Sequence, residues 1–139
     1  MNPPQRLSAL EIAEHQLLTA LQMWSVGDYI SCITLAGAAE EILGKRMRKL
    51  GFEPSFENLK EAIVKLAKHF GDTLSNTDKL VGDLMNRTRN ELKHYAGDEA
   101  LEFDLKSDAE EMLERAISNY TSLTGKFPDQ MLKFWSSTQ

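Results

Sequence analysis

A chain of 139 residues with 42% hydrophobic and 27% charged residues fits one globular domain, long enough to bury roughly two thirds of its unfolded surface. Lys and Arg number 16 against 21 Asp and Glu, a formal net charge of −5, which opposes the sequence-independent nucleic-acid binding that basic surfaces drive; any polyanion must be met by a local patch. No apolar run approaches the ~20 residues of a membrane span. Met1-Asn2-Pro3-Pro4-Gln5-Arg6 leads into a segment broken by Glu11 and Glu14 rather than the apolar core of a secretory signal, and the single Cys32 excludes an intramolecular disulfide, so we expect a cytoplasmic protein without a membrane partner.

The first helix is predicted between Leu7 and Trp24, where Leu10, Ala13, Leu17, Ala20, Leu21 and Trp24 fall on one helical stripe. Gly27 ends it and Asp28 is placed to cap the second helix, whose stripe runs through Tyr29, Ile33, Ala36, Leu43, Met47 and Leu50. The middle of that helix, Ala36-Gly37-Ala38-Ala39, is small and admits a close neighbour. Cys32 lies among Ile30, Ile33 and Leu35 and reads as a buried, inert thiol. Glu40-Glu41 reads as an exposed face. Lys45-Arg46-Met47-Arg48-Lys49 is the densest basic run, either a solvated helix end whose cations offset the macrodipole or, with Arg87, Arg89 and Lys93, a phosphate track.

Gly51 and Pro54 mark a turn, Ser55 is a plausible cap, and Leu59, Ala62, Ile63, Leu66 and Phe70 define a third helix closed by Gly71. Asn76 or Thr77 begins a fourth, carrying Leu80, Val81, Leu84, Met85, Thr88, Leu92 and Tyr95, with Gly97 where a left-handed terminal residue falls. From Asp98 to Lys106 apolar and charged residues alternate, a period of two that suits an extended linker. Ser107 and Glu110 form a capping box for a fifth helix through Ala109, Met112, Leu113, Ala116, Ile117, Tyr120 and Leu123 to Gly125. Asp108 to Glu111 reads as its acidic first turn. In the tail, Phe127, Pro128, Met131, Phe134 and Trp135 either pack back on the bundle or form an association surface. The predicted architecture is all-α: an antiparallel bundle of about five helices with a short C-terminal helical tail, one domain over 1–139 with 1–6 a flexible N-terminal segment and 126–139 the tail.

Arg89-Asn90-Glu91-Leu92-Lys93-His94 carries the chemistry. Arginine offers a fork of donors matched to phosphate, and histidine alone changes charge near neutral pH. At about 100° per residue, Arg87, Asn90 and His94 share one face and Arg89 stands about 140° from His94, all away from the apolar face of Leu84, Thr88 and Leu92. They are expected to meet solvent or another chain. The plainer account is that Arg87, Arg89, Lys93 and His94 are cations offsetting a helix C-terminus.

The hexapeptide resembles the arginine, four residues, histidine signature of the HEPN superfamily, small helical bundles in which asparagine often follows the arginine. The small-residue helix from Ala36 to Leu43 and a final helix after an irregular link are similar too, over roughly Leu7 to Thr124. The resemblance implies metal-independent RNA cleavage in which the ribose 2′-hydroxyl attacks the adjacent phosphate and leaves a 2′,3′-cyclic phosphate, with no cofactor. His94 would transfer the proton, Arg89 would stabilise charge on the phosphate and Asn90 would orient the imidazole or substrate, with Arg87, Lys93 and Tyr95 binding substrate. Six residues separate Arg87 from His94, so either arginine fits the leading position. The resemblance further implies a homodimer in which two such stretches make one composite site, and a toxin or defence role with a nucleotidyltransferase antitoxin as partner. In toxins of that kind a tyrosine commonly stands two places after the histidine, whereas here Tyr95 follows His94 directly. The competing expectation is a non-catalytic helical module that binds a nucleotide or a protein. Glu91-Leu92-Lys93-His94 also reads as the Glu-x-x-His pair of di-iron bundles, but the chain holds no second copy.

Overall fold

The computed structural model describes residues 2–54 and 85–138, together with positions 61, 64, 65, 82 and 83. Five helices have bounds that fall among the described residues: α1 (Ala9–Ser25), α2 (Tyr29–Lys49), α3 (Arg87–His94), α4 (Leu105–Thr124) and α5 (Asp129–Thr138). The described residues contain no strand, and the helices pack into an all-α bundle. The expected third helix and the expected start of the fourth at Asn76 or Thr77 lie outside the described residues, apart from positions 61, 64 and 65, which are helical.

Local chemistry sets the ends of the first two helices. Ser8 caps α1 with a reciprocal box, in which the Glu11 amide donates to Ser8 Oγ at 3.1 Å and the Ser8 amide to Glu11 Oε1 at 3.3 Å. This cap starts the helix just past Leu7 and satisfies two otherwise orphaned donors. Gly27, at φ 81°, turns the chain, and the Asp28 carboxylate accepts from the Ser31 amide at 3.1 Å to open α2. Hydrogen bonds from the Ser31 side chain and amide hold the Asp28 carboxyl below its ordinary value.

The core lies where α1, α2 and α4 meet. Ala13, Leu17 and Ala20 of α1 face Ile33, Ala36 and Ala39 of α2, all fully or almost fully buried, and Leu113, Ala116 and Ile117 of α4 close the third side. Alanines on facing stripes bring the axes together, while Leu17 and Leu113 supply bulk worth about 1.5–3 kcal/mol each on burial. Cys32 is buried within this layer. Its thiol is pushed up to about 12, first by burial and then by the nearby Asp28 charge. Native Cys32 is therefore expected to resist a thiol-specific disulfide reagent at about pH 8 and to react once urea unfolds the chain. Rapid modification of the folded protein would show instead that α2 opens locally.

α4 begins earlier than the Ser107 box implies. Asp104 accepts from the Ser107 amide at 3.4 Å, so the carboxylate takes the N-cap and Ser107 falls inside the first turn. The expected linker is non-helical only up to that cap and bends at Asp98 and Glu99. At the other end Gly125, where the helix was expected to stop, adopts φ 68°, a left-handed C-terminal conformation that glycine accepts without strain. The tail forms α5, which uses its two faces differently. Met131 and Phe134 are buried, with the Phe134 ring edge-on to Trp24 at 5.0 Å and 86°, while Phe127, Leu132 and Trp135 stay exposed. The tail thus packs back on the bundle and also keeps an apolar outer surface.

Candidate functional site on the third helix

An eight-residue helix such as α3 does not persist alone in water, because nucleation costs more than so few hydrogen bonds return. Tertiary contacts on its inner face hold it. Arg89 Nη1 donates to Glu40 Oε2 of α2 at 3.2 Å. Arg115 Nη2 of α4 donates to the other carboxylate oxygen, Glu40 Oε1, at 3.2 Å, and to Asn86 Oδ1 at 3.1 Å. Thr88 Oγ1 donates to Asp108 Oδ2 at 2.6 Å, and Leu92 packs against the core.

These contacts correct three sequence expectations. Arg89 does not flank a solvent-facing cluster: its side chain is 15% exposed and turned into the bundle. Glu40 is not an exposed helix residue; it is buried between two guanidinium groups, and a carboxylate is tolerated there because they replace its hydration. Asp108 is no simple first-turn dipole partner, since it accepts from Thr88 across the seam. Arg115 went unnoticed in the sequence although a signal existed. It occupies the apolar stripe of α4 beside Met112 and Ala116, as Glu40 occupies that of α2, and opposite charges at two inward positions suggest a pair.

The small-residue stretch of α2 receives the stem of Arg89. A Cβ added at Gly37 would lie 2.5 Å from Arg89 Cδ and 2.9 Å from Cγ, closer than atoms approach, while the guanidinium is tethered to Glu40. Gly37→Ala is therefore expected to destabilise the wild-type chain even though alanine favours helix by about 1 kcal/mol. In an Arg89→Ala background the same change is expected to stabilise. A double-mutant cycle by urea denaturation reads the coupling, and additive effects would mean that Arg89 does not occupy the Gly37 groove.

The outer face keeps the rest of the motif. Arg87, Asn90 and His94 are all exposed and share one side of α3, as the helical spacing implies. Lys93 is exposed beside them. The Arg87 guanidinium stands 5.5 Å from the centre of the Phe103 ring, which restricts its motion. Tyr95 ends the helix in an extended conformation and its hydroxyl donates to the Glu99 carbonyl at 2.8 Å. Gly97 is not left-handed as expected; it lies against the Tyr95 ring. A polar cavity of about 200 Å³ bounded by Thr88, Arg89, Asp108 and Arg115 lies in the seam behind this face.

Comparison with family models, curated proteins and solved structures finds no match for this chain. Among the described residues no group of three or more His, Cys, Asp and Glu is placed to hold a metal ion, and no helix is long and apolar enough to cross a membrane. Lys45, Arg46, Arg48 and Lys49 are exposed in the last turns of α2 with Met47 buried beneath them, an arrangement that favours the macrodipole reading of that run.

Proposed function

We propose that this protein is a HEPN-like homodimer that cleaves RNA without a metal. The observation that supports the reading is the division of labour on α3: Thr88, Arg89 and Leu92 pin the helix to the bundle, so that Arg87, Asn90 and His94 stand on a fixed outer face. In the reaction one His94 removes the proton from a ribose 2′-hydroxyl, whose oxygen attacks the adjacent phosphorus. The bond to the 5′-oxygen breaks, and a second histidine protonates that leaving group. One chain supplies a single histidine here, and a two-fold dimer supplies both. Arg87 meets the phosphate oxygens and offsets their growing charge, Asn90 orients the imidazole, Lys93 and Tyr95 contact substrate, and Arg89 acts as a positioning residue. A cytoplasmic toxin or defence role with a nucleotidyltransferase antitoxin belongs to the same proposal.

The commitment of Arg89 to Glu40 favours a second reading, a non-catalytic module that binds a nucleotide or a protein, because it withdraws one arginine from the exposed face. Incubation of the full chain with total RNA in chelator separates the two. New ends carrying 2′,3′-cyclic phosphate, from a species that light scattering shows to be dimeric, support the nuclease; a monomer with no cleavage supports the binding module.

A further inference from the structure

Between the C-terminal half of α1 and α5 lies a cleft of about 370 Å³ that shares no residue with the α3 face. Its size is that of a small-molecule site, and its construction is similar: apolar walls with a few polar groups at the mouth. Leu21, Trp24 and Phe134 form the walls, and the edge-on contact between the two rings holds the cleft in shape. Ser25 and Ser137 face it from the two helices, and side chains that short leave the gap unfilled.

Two features say what would fill it. Among the described residues that line the cleft, Lys133 is the one charged side chain, so an anion is favoured over an amine. The Trp24 ring lines the cleft, so an occupant's chain would lie against an aromatic wall. A single ammonium suits a monoanion; a phosphate ester is ordinarily held by several donors or an arginine fork. We propose that the cleft binds a small amphipathic carboxylate of the medium-chain acyl class, its chain against Trp24 and Phe134 and its carboxylate at Lys133.

Calorimetric titration of the full chain with sodium decanoate tests this, with 1-decanol as the uncharged control. The wild type is expected to bind one decanoate saturably, and Lys133→Glu to weaken it about tenfold while changing decanol affinity by less than about twofold. Ser25→Trp, at an exposed position, is expected to fill the cleft and abolish binding of both with an unchanged circular dichroism spectrum. Absence of saturable decanoate binding by the wild type below about 1 mM would overturn the proposal. So would undiminished binding by folded Ser25→Trp, which places the ligand elsewhere, or equal decanoate affinity in Lys133→Glu, which leaves an apolar groove without carboxylate recognition.

Discussion

His94→Ala is expected to lower RNA cleavage by about 10²–10⁴-fold, the usual worth of a positioned proton-transfer group, with no measurable loss of stability. The second half of that expectation follows from placement. His94 is exposed at the last turn of α3, whereas the helix is held through Thr88, Arg89 and Leu92 on its opposite side; surface changes away from such contacts ordinarily stay within about 0.5 kcal/mol. Arg87→Ala is expected to reduce turnover with its fold intact, while Arg89→Ala is expected to lower activity and stability together because its guanidinium joins α3 to Glu40. Mixed dimers sharpen the test. If one histidine is the base and its counterpart the acid, a dimer with a single His94→Ala copy loses most of its activity instead of half. Cleavage unchanged in His94→Ala would remove the histidine from the chemistry and with it the proposed nuclease.

Glu40→Ala is expected to cost about 3–5 kcal/mol, the penalty for leaving buried charge without its counter-ion. The carboxylate is 6% exposed and receives one guanidinium on each oxygen, so its removal takes the shared carboxylate from two arginines at once. Against the ~5–15 kcal/mol total stability of an ordinary domain, that loss is large enough to release α3 or unfold the chain. Glu40→Gln keeps size and hydrogen-bonding capacity and is expected to cost less. Arg115→Met, at a side chain 5% exposed, is expected to cost more than Arg89→Met, at 15%, since water screens the latter in part. Urea denaturation of the four variants measures the order. Glu41→Ala, at the exposed neighbouring position, serves as the control, and a loss at Glu40 no larger than at Glu41 would falsify the account of the seam.

Every defined helix, α3 included as the end of the expected fourth helix, could be read in advance because its instructions are near in sequence. Asp28, Gly27 and Gly125 act within a few residues of themselves, and the stripes of α1, α2 and α4 repeat over many turns. Errors arose where two local instructions competed, as at Asp104 and Ser107, or where the chain left α3 through an extended Tyr95 instead of a left-handed Gly97. The Arg87, Asn90 and His94 face was legible for the same reason, being set by helical spacing alone.

The direction of Arg89 was not legible. By itself the sequence determined an all-α chain, the caps and turns at Asp28, Gly27 and Gly125, and the set of side chains able to share a face of the helix that ends at His94, since all of these arise from contacts within one or two turns. The tertiary structure alone decided that Arg89 points inward, that Glu40 is buried and that Arg115 completes the seam. Those pairings join residues 49 and 75 positions apart, and a charge enters a core only when the partner that offsets its lost hydration is brought there by folding.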